Sequence, residues 1–316
     1  MVQSRRETAS RWTLATATER RIALRRPALG DWGLFLLLAG PNLILFAAFT
    51  YWPLIYNVYL SLTSWDMIAP VKDFVGLANY RYLASDREFR RVLLNTVVFT
   101  LGTVGGTTIL GLLLALLLNW PLRGRTWARG VIFAPVLLSG AAISVFWINM
   151  LNPRFGLLAE LLGWFSLSSP NWLNHPIWAM VAVIMVYVWK NVGFSMVIYL
   201  AGLQAIPAEL YEAARVDGAG HLETFRWVTL PQLGPVTLFL LVVSMISSFQ
   251  AFDIIKVMTD GGPVNATTTL LFYIYEQGFV AFNAGRAAAA SVFLFLAMLV
   301  VTAIQLRLGE RRVHYG

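Results

Sequence analysis

Residues 212–231, EAARVDGAGHLETFRWVTLP, decide the fold class of this chain. They form a polar island between two long apolar runs, one ending near residue 204 and the other beginning near residue 236. Charged side chains and unpaired backbone groups are costly in hydrocarbon. The island is therefore predicted to lie outside a membrane, between two segments that lie inside it.

The composition of the 316-residue chain is also typical of a membrane protein. It is 58% hydrophobic and only 13% charged, whereas an ordinary soluble domain is about 25% charged. The net charge of +8 comes mainly from arginines in tails and short loops. Such arginines indicate topology and attraction to anionic lipid, and no nucleic-acid partner is expected. The chain has no cysteine, which excludes disulfides and cysteine-based metal sites.

Charge-poor stretches of the roughly 20 residues needed to cross a bilayer predict an all-α membrane protein with six transmembrane helices. The predicted spans are 33–60, 92–119, 131–151, 177–204, 236–257 and 287–306. They organise the chain into a tail over 1–31, a six-helix transmembrane domain over 32–307 and a tail over 308–316. Gly102 and Gly106 in the second span form a small-xxx-small pair. This pair indicates close helix packing, or simply the frequency of glycine in such helices.

The positions of the arginines predict that both termini are cytoplasmic. The leader, the 123–129 connection and the C-terminal tail are arginine-rich, and six spans place all three on one side. The first loop on the other side has mixed charge and therefore less bias. The polar island then faces the cytoplasm.

The residues of the island resemble the signature loop of permease subunits from bacterial ABC importers. The pattern E-A-A-x-x-D-G-A is present at 212–219 and is followed by L-P at 230–231. FVGLANY at 74–80 and GGPVNATTTL at 261–270 are similar to the carbohydrate branch of that family. With RRVHY at 311–315, the latter most resembles the first permease subunit of glycerol-3-phosphate importers, although related disaccharide permeases share much of both.

The resemblance implies a MetI-like permease fold in a bacterial inner membrane, with a coupling loop over 205–235 seated in a cleft of a cytoplasmic ATPase. It also implies a second permease subunit, two ATPase subunits, an external solute-binding protein and surrounding lipid. The implied solute is of carbohydrate type, either sn-glycerol-3-phosphate or its diesters, or a saccharide such as maltose or trehalose. The predicted ATPase-coupling residues are Glu209, Glu212, Ala213, Ala214, Arg215, Asp217, Gly218, Ala219, Gly220, Leu230 and Pro231.

The first half of the island suits a short helix on physical grounds. Pro207 is favourable in a first helical turn, and Glu209 and Glu212 complement the positive end of the helix dipole. Glu212 and Arg215 are three residues apart and can meet on one helix face. The alternative interpretation is an ordinary polar loop.

The second half suits a turn followed by another helix. Gly218 and Gly220 permit a sharp turn, and Pro231 is expected to stop the second helix. Together the two halves predict a helix-turn-helix.

No ATP-binding or catalytic site is predicted in this chain. A phosphate-binding loop needs G-x-x-x-x-G-K-[ST], and none of the lysines lies in such a motif. The three histidines are far apart and lack metal-ligand spacing. We therefore expect a non-enzymatic subunit that binds no metal or cofactor, with ATP and Mg on the partner ATPase.

Polar residues inside the spans are candidates for the solute pathway. Lys190 lies in the middle of the fourth span, where a charge is costly; it either faces a water-filled cavity or pairs with a neighbouring helix or the partner permease. Ser247 and Gln250 share a helix face and suit a hydroxyl-rich solute. Asp253 either joins them or marks the outer end of the fifth span, with local pairing. The predicted pathway residues are Lys190, Asn191, Ser247, Gln250 and Asp253.

Two other functions remain as alternatives. A stand-alone ion-coupled secondary transporter predicts internal repeats and acids within the spans, but no repeat is evident and Asp253 is the only acid close to a core. A membrane-embedded enzyme needs clustered catalytic groups, and none is evident.

Overall fold

The computed structural model describes residues 29–310. The predicted tails at 1–31 and 308–316 lie outside these residues, apart from 29–31 and 308–310, which are helical. The first span consists of α1 (Leu29–Phe46), a π-helical segment (Ala47–Tyr51) and α2 (Trp52–Ser61). Its Gly33–Ser61 portion is apolar enough to cross a membrane.

A short connecting region separates the first two spans. The two-residue strands β1 (Thr63–Ser64) and β2 (Asp73–Phe74) pair antiparallel, and α3 (Ala78–Ser85) follows. The second span is α4 (Arg87–Asn119), which Asp86 caps by accepting from the backbone N–H groups of Glu88 and Phe89.

The third predicted span is broken rather than continuous. It comprises α5 (Arg125–Phe133), a 3-10 turn (Ala134–Leu137) and α6 (Gly140–Met150), with a bend of 106°. Pro135 lies in the turn, and the Ser139 hydroxyl accepts from the Ala142 N–H at 3.2 Å, which starts a new helix. The prediction of one helix over 131–151 is therefore wrong.

The fourth span is α8 (Pro176–Ala205), which follows the short helix α7 (Leu157–Trp164). The polar island contains α9 (Ala208–Val216), α10 (His221–Thr224), a π-helical segment (Phe225–Thr229) and α11 (Leu230–Gln232). The fifth span, α12 (Gly234–Phe249), is bent by 61° relative to the helical stretch His221–Gln232.

The fifth span ends earlier than predicted. Its helix stops at Phe249, and a separate short helix, α13 (Asp253–Met258), covers the rest of the predicted 236–257 range. The Asp253 carboxylate accepts from the Ile254 N–H at 2.9 Å, a local bond that competes with a continuous helix. Beyond it lie α14 (Leu270–Tyr275), a π-helical segment (Glu276–Val280) and the sixth span, α15 (Ala284–Glu310).

The described residues thus contain four helices long and apolar enough to span a membrane, or up to six spans when each bent pair counts as one. α4 and α8 pack together at the centre. A Cβ atom on Gly102 would lie 2.9 Å from Cδ1 of Ile184, and one on Gly106 would lie 2.7 Å from Cγ2 of Val188. The packing role predicted for this glycine pair is confirmed.

Hydroxyl groups join the fifth span to the other two. The Ser248 hydroxyl lies 2.9 Å from Oγ1 of Thr103 and 3.2 Å from Oγ1 of Thr100, both on α4. Near the other end of α12, the Tyr199 hydroxyl donates to Oγ1 of Thr237 at 3.2 Å. α4, α8 and α12 therefore form a connected central layer.

Candidate coupling element and solute cavity

The polar island forms the predicted helix-turn-helix. Pro207 directly precedes α9, whose first turn contains Glu209. After α9, Gly218 has a φ of +79°. The Ala219 N–H donates to the Ala214 carbonyl at 2.9 Å, and the Gly218 N–H donates to the Arg215 carbonyl at 3.1 Å. These two bonds form a Schellman motif, which requires left-handed backbone at the position of Gly218.

Gly220 plays a different part from the one predicted. Its φ is −72°, which any residue can adopt, and a Cβ atom would meet only Oε2 of Glu223 at 3.7 Å. The Gly220 N–H donates to that same carboxylate at 2.8 Å, which fixes the start of α10. The sharp turn therefore depends on Gly218 alone.

Most of the predicted coupling residues lie on the outer surface of the helix-turn-helix. Ala214 is buried and Ala219 is half-buried. The exposed members are Glu209, Glu212, Ala213, Arg215, Asp217, Gly218, Gly220, Leu230 and Pro231.

Two exposed apolar side chains beside the turn were not among the coupling residues predicted from the sequence. Val216 is 88% exposed and Leu222 is 79% exposed. The signal that could have found them is an apolar residue within an otherwise polar island. Exposed apolar side chains that cluster at one place indicate a surface that contacts a partner.

The predicted contact between Glu212 and Arg215 is not formed in the described structure. Arg215 instead donates from Nε to the Tyr211 carbonyl at 3.4 Å. Arg215 lies in the last turn of α9, where cations interact with free carbonyls. An exposed ion pair contributes little, so it does not override this local bond.

Pro231 lies at the end of the second helix, as predicted. α11 ends one residue later, at Gln232, and α12 begins after a bend of 61°. The Leu233 N–H closes the last turn by donating to the Thr229 carbonyl at 3.0 Å. The π-helical segment Phe225–Thr229 lies two residues before the proline, and this wider turn accommodates a residue that cannot donate a backbone bond.

The helix-turn-helix is attached firmly to both neighbouring spans. The Tyr211 hydroxyl of α9 lies 3.3 Å from Oγ1 of Thr229. Leu203 at the end of α8 and Leu233 before α12 belong to one buried apolar cluster. A Cβ atom on Gly202 would lie 3.1 Å from Cδ2 of Leu233, so the two segments touch closely. The helix-turn-helix is therefore held against the ends of the fourth and fifth spans.

A cavity of about 230 Å³ lies in the central layer. It is formed by α4, α8, α12 and the 3-10 turn of the broken third span. Its wall is made of hydroxyls, one amide and apolar side chains, namely Thr107, Val136, Tyr187, Asn191, Phe194, Ser195, Val243, Ser244 and Ser247. Such a wall can exchange several hydrogen bonds with a polyhydroxylated solute.

Two of the five predicted pathway residues meet at this cavity. Asn191 comes from the fourth span and Ser247 from the fifth. Lys190, Gln250 and Asp253 are not among the residues that line it. Lys190 is half-buried and makes no ion pair or hydrogen bond with any residue between 29 and 310, so the predicted pairing with a neighbouring helix is not formed there.

The charged residues at the end of the fifth span are arranged locally. The Asp253 carboxylate lies against Gly140 at the start of α6. Lys256 pairs with Asp260 at 2.6 Å. Within the described part of the chain, no three His, Asp or Glu side chains come together as metal ligands.

Sequence reasoning missed several cavity residues. Tyr187 and Ser195 lie four residues before and after the predicted Asn191 and therefore share its face of α8. This polar stripe in an apolar helix was a readable signal. Thr107 gave none, because a single threonine is common in a membrane helix, where its hydroxyl can donate to its own backbone, as it does here to the Thr103 carbonyl at 2.7 Å.

Comparison with known proteins places the chain in a family. Residues 107–314 match the model of the binding-protein-dependent transport system inner membrane component. The chain is 37% identical over 286 residues to the sn-glycerol-3-phosphate transport system permease protein UgpA of Agrobacterium fabrum, covering 89% of this chain and 96% of that protein. It is 38% identical over 264 residues to a probable ABC transporter permease protein of Pyrococcus horikoshii, covering 83% and 90%.

A solved structure has a closely similar fold. A chain of a bacterial ABC transporter involved in the import of the acidic polysaccharide alginate superposes with a TM-score of 0.76 at 26% identity, covering 89% of this chain and 96% of that one. This chain therefore belongs to the family of binding-protein-dependent transport system inner membrane components, the multi-pass permeases of ABC importers.

Proposed function

We propose that this permease imports sn-glycerol-3-phosphate or its diesters. The relatives named for sn-glycerol-3-phosphate transport cover nearly the whole chain, and the hydroxyl-lined cavity suits the polyol part of such a solute. The observation that carries an ATP-driven mechanism is the polar helix-turn-helix packed onto the fourth and fifth spans through Leu203 and Leu233. A cytoplasmic ATPase that binds this helix-turn-helix can therefore act on both spans.

In this proposal the chain works with a second permease, two ATPase subunits and an external solute-binding protein. ATP and Mg belong to the ATPase, and this subunit is non-catalytic and binds no cofactor of its own. The exposed Val216 and Leu222 support a protein partner at the helix-turn-helix. A related alginate transporter has been solved in complex with an alginate pentasaccharide-bound periplasmic protein. Both termini face the cytoplasm of a bacterial cell.

The mechanism follows from the packing. Closing of the ATPase pair displaces α9 and the Gly218 turn. Because Leu203 and Leu233 pack in one cluster, α8 and α12 move with them. Asn191 and Ser247 are on these two helices, so their separation changes and the cavity opens to the other side of the membrane.

The hydroxyls of the wall and one charge outside it match a phosphorylated polyol. The hydroxyls of Ser195 and Ser247 can donate to or accept from solute hydroxyls, and that of Thr107, which donates within its own helix, can accept. Lys190 adjoins Asn191 and has no ion-pair partner within residues 29–310, which leaves its charge available for a phosphate.

The direct test is uptake by proteoliposomes that contain the full complex. ATP is enclosed, and labelled sn-glycerol-3-phosphate is added outside with the binding protein. We expect uptake that requires ATP and the binding protein and does not respond to an ion gradient. Uptake by this chain alone, driven by an ion gradient, would instead establish a secondary transporter.

The cavity wall gives one prediction. Asn191→Ala and Ser247→Ala should each lower the rate of ATP-driven uptake about tenfold, since a hydrogen bond to a charged or polyol solute contributes about 1–2 kcal/mol. Asn149→Ala is the matched control, because the Asn149 side chain donates to the carbonyl four residues earlier, as that of Asn191 does, but does not line the cavity. Equal rates for the two asparagine variants would remove the cavity from the pathway.

Lys190 gives another prediction, based on solute charge. At pH 7 a phosphomonoester carries about −1.5 to −2 charges, whereas a diester carries a single one. Lys190→Ala should therefore reduce uptake of sn-glycerol-3-phosphate more than uptake of its diester, and Lys190→Arg should retain both. Competitive uptake assays with the two labelled solutes measure the ratio. An unchanged ratio in Lys190→Ala would exclude an interaction between Lys190 and the phosphate.

A further inference from the structure

A second groove, of about 330 Å³, lies outside the solute pathway between the first turns of α4 and α8. Ile177, Met180, Val181 and Ile184 follow one face of α8 and form its apolar wall together with Val98 of α4. Arg91 and Asn95 lie two turns and one turn before Val98, so the groove is polar at one end and apolar along its length.

The arginine at the polar end has a free charge. Arg91 is exposed and makes no hydrogen bond, ion pair or ring contact with any residue between 29 and 310. The acids nearest in sequence form no ion pair with it: the Asp86 carboxylate caps α4, and that of Glu88 accepts from the Asn265 amide at 2.7 Å. The Asn95 amide is also used, because it donates to the carbonyls of Asn265 and Thr268. A ligand at this end therefore meets an unneutralised guanidinium.

The surroundings of the groove indicate that it faces hydrocarbon. Leu94 and Leu101, on the same helix, are 67% and 66% exposed. The stretch from Arg91 to Val98 rises by about 10 Å, which is less than half of the roughly 30 Å hydrocarbon core. The groove thus lies within one leaflet, with Arg91 at the end of the span, where the headgroups are.

We propose that this groove binds a phospholipid with an anionic headgroup. Its phosphate accepts hydrogen bonds from the Arg91 guanidinium, which can donate in a bidentate manner. One acyl chain lies along Val98, Val181 and Ile184. An anionic headgroup is favoured over a zwitterionic one because the charged side chain that lines the groove is Arg91, and no carboxylate lines it to meet an ammonium group.

The test compares lipid retained by the purified full complex. Complexes are equilibrated with mixed micelles of phosphatidylglycerol and phosphatidylcholine, washed, and analysed by quantitative mass spectrometry. We expect wild type and Arg90→Ala to retain a phosphatidylglycerol that Arg91→Ala loses. Arg90 is the matched control, since it neighbours Arg91 but does not line the groove. Val181→Trp, which fills the apolar wall, should lose the same lipid.

Three results would overturn the proposal. Equal retention by Arg91→Ala and Arg90→Ala would exclude Arg91 as the headgroup contact. Displacement of the lipid by inorganic phosphate alone would identify an anion site with no role for the acyl chain. The chain has no native cysteine, so Val181→Cys gives a unique probe. Cross-linking of this cysteine to the partner permease in native membranes would show that protein covers the groove.

Discussion

Gly218→Val is expected to abolish ATP-driven uptake, whereas Gly220→Ala should leave it at the wild-type rate. Gly218 has a φ of +79°, and a left-handed conformation costs an L-residue about 1–2 kcal/mol, more when it is β-branched. A valine at position 218 would break the two Schellman hydrogen bonds, which set the angle between α9 and α10. Uptake by proteoliposomes and ATP hydrolysis stimulated by the loaded binding protein are the two measurements.

The control keeps this prediction specific to the turn. Gly220 has an ordinary φ, and an added Cβ atom meets only Glu223 at van der Waals distance. Both variants should be present in the membrane at wild-type amounts, because the turn lies outside the spans. A charge reversal that leaves the backbone intact, Glu212→Lys, should also stop uptake. Full transport by Gly218→Val would show that the turn does not couple to the ATPase.

The helix-turn-helix could be predicted from sequence because its information is local. Gly218, the acids of α9 and the polar composition all act within a few residues. The same is true of Gly102 and Gly106, whose spacing alone indicates one face of a helix. Pro231 is another local signal, since the second helix ends one residue after it, at Gln232. The π-helical segment Phe225–Thr229 could not be predicted, because it has no characteristic composition.

The cavity could be predicted only in part. The free-energy cost of a charged side chain in hydrocarbon draws attention to residues deep in a span, but it does not indicate which face of the helix they occupy. Lys190 and Asp253 were selected for their charge, yet neither lines the cavity. Asn191 and Ser247 do, together with small hydroxyl residues that carry little hydropathy signal. The broken third span was hidden for a similar reason, since 131–151 is apolar throughout while its bend depends on a proline and a capping serine.

Gly193→Val is expected to prevent formation of a stable complex, whereas Gly105→Val should not. A Cβ atom on Gly193 would collide with the carbonyl oxygen of Ile132 and lie 2.7 Å from Cα of Phe133. Both are backbone atoms of α5, so no rotamer change can relieve the contact. Overpacking costs about 1–3 kcal/mol, and the gain in helix propensity over glycine is only a few tenths of a kcal/mol.

The expected loss extends to the cavity, since α8 and the broken third span both contribute to its wall. Moving α8 away from Ile132 also moves Asn191, two residues before Gly193, relative to Val136. Gly105 is a mid-span glycine of α4, and no atom lies within 4 Å of the position that an added Cβ would occupy, so valine fits there. Melting temperature and the monodisperse fraction after gel filtration separate the two variants. Equal melting temperatures would mean that α8 does not need glycine to approach the third span, and that the cavity wall tolerates a wider spacing.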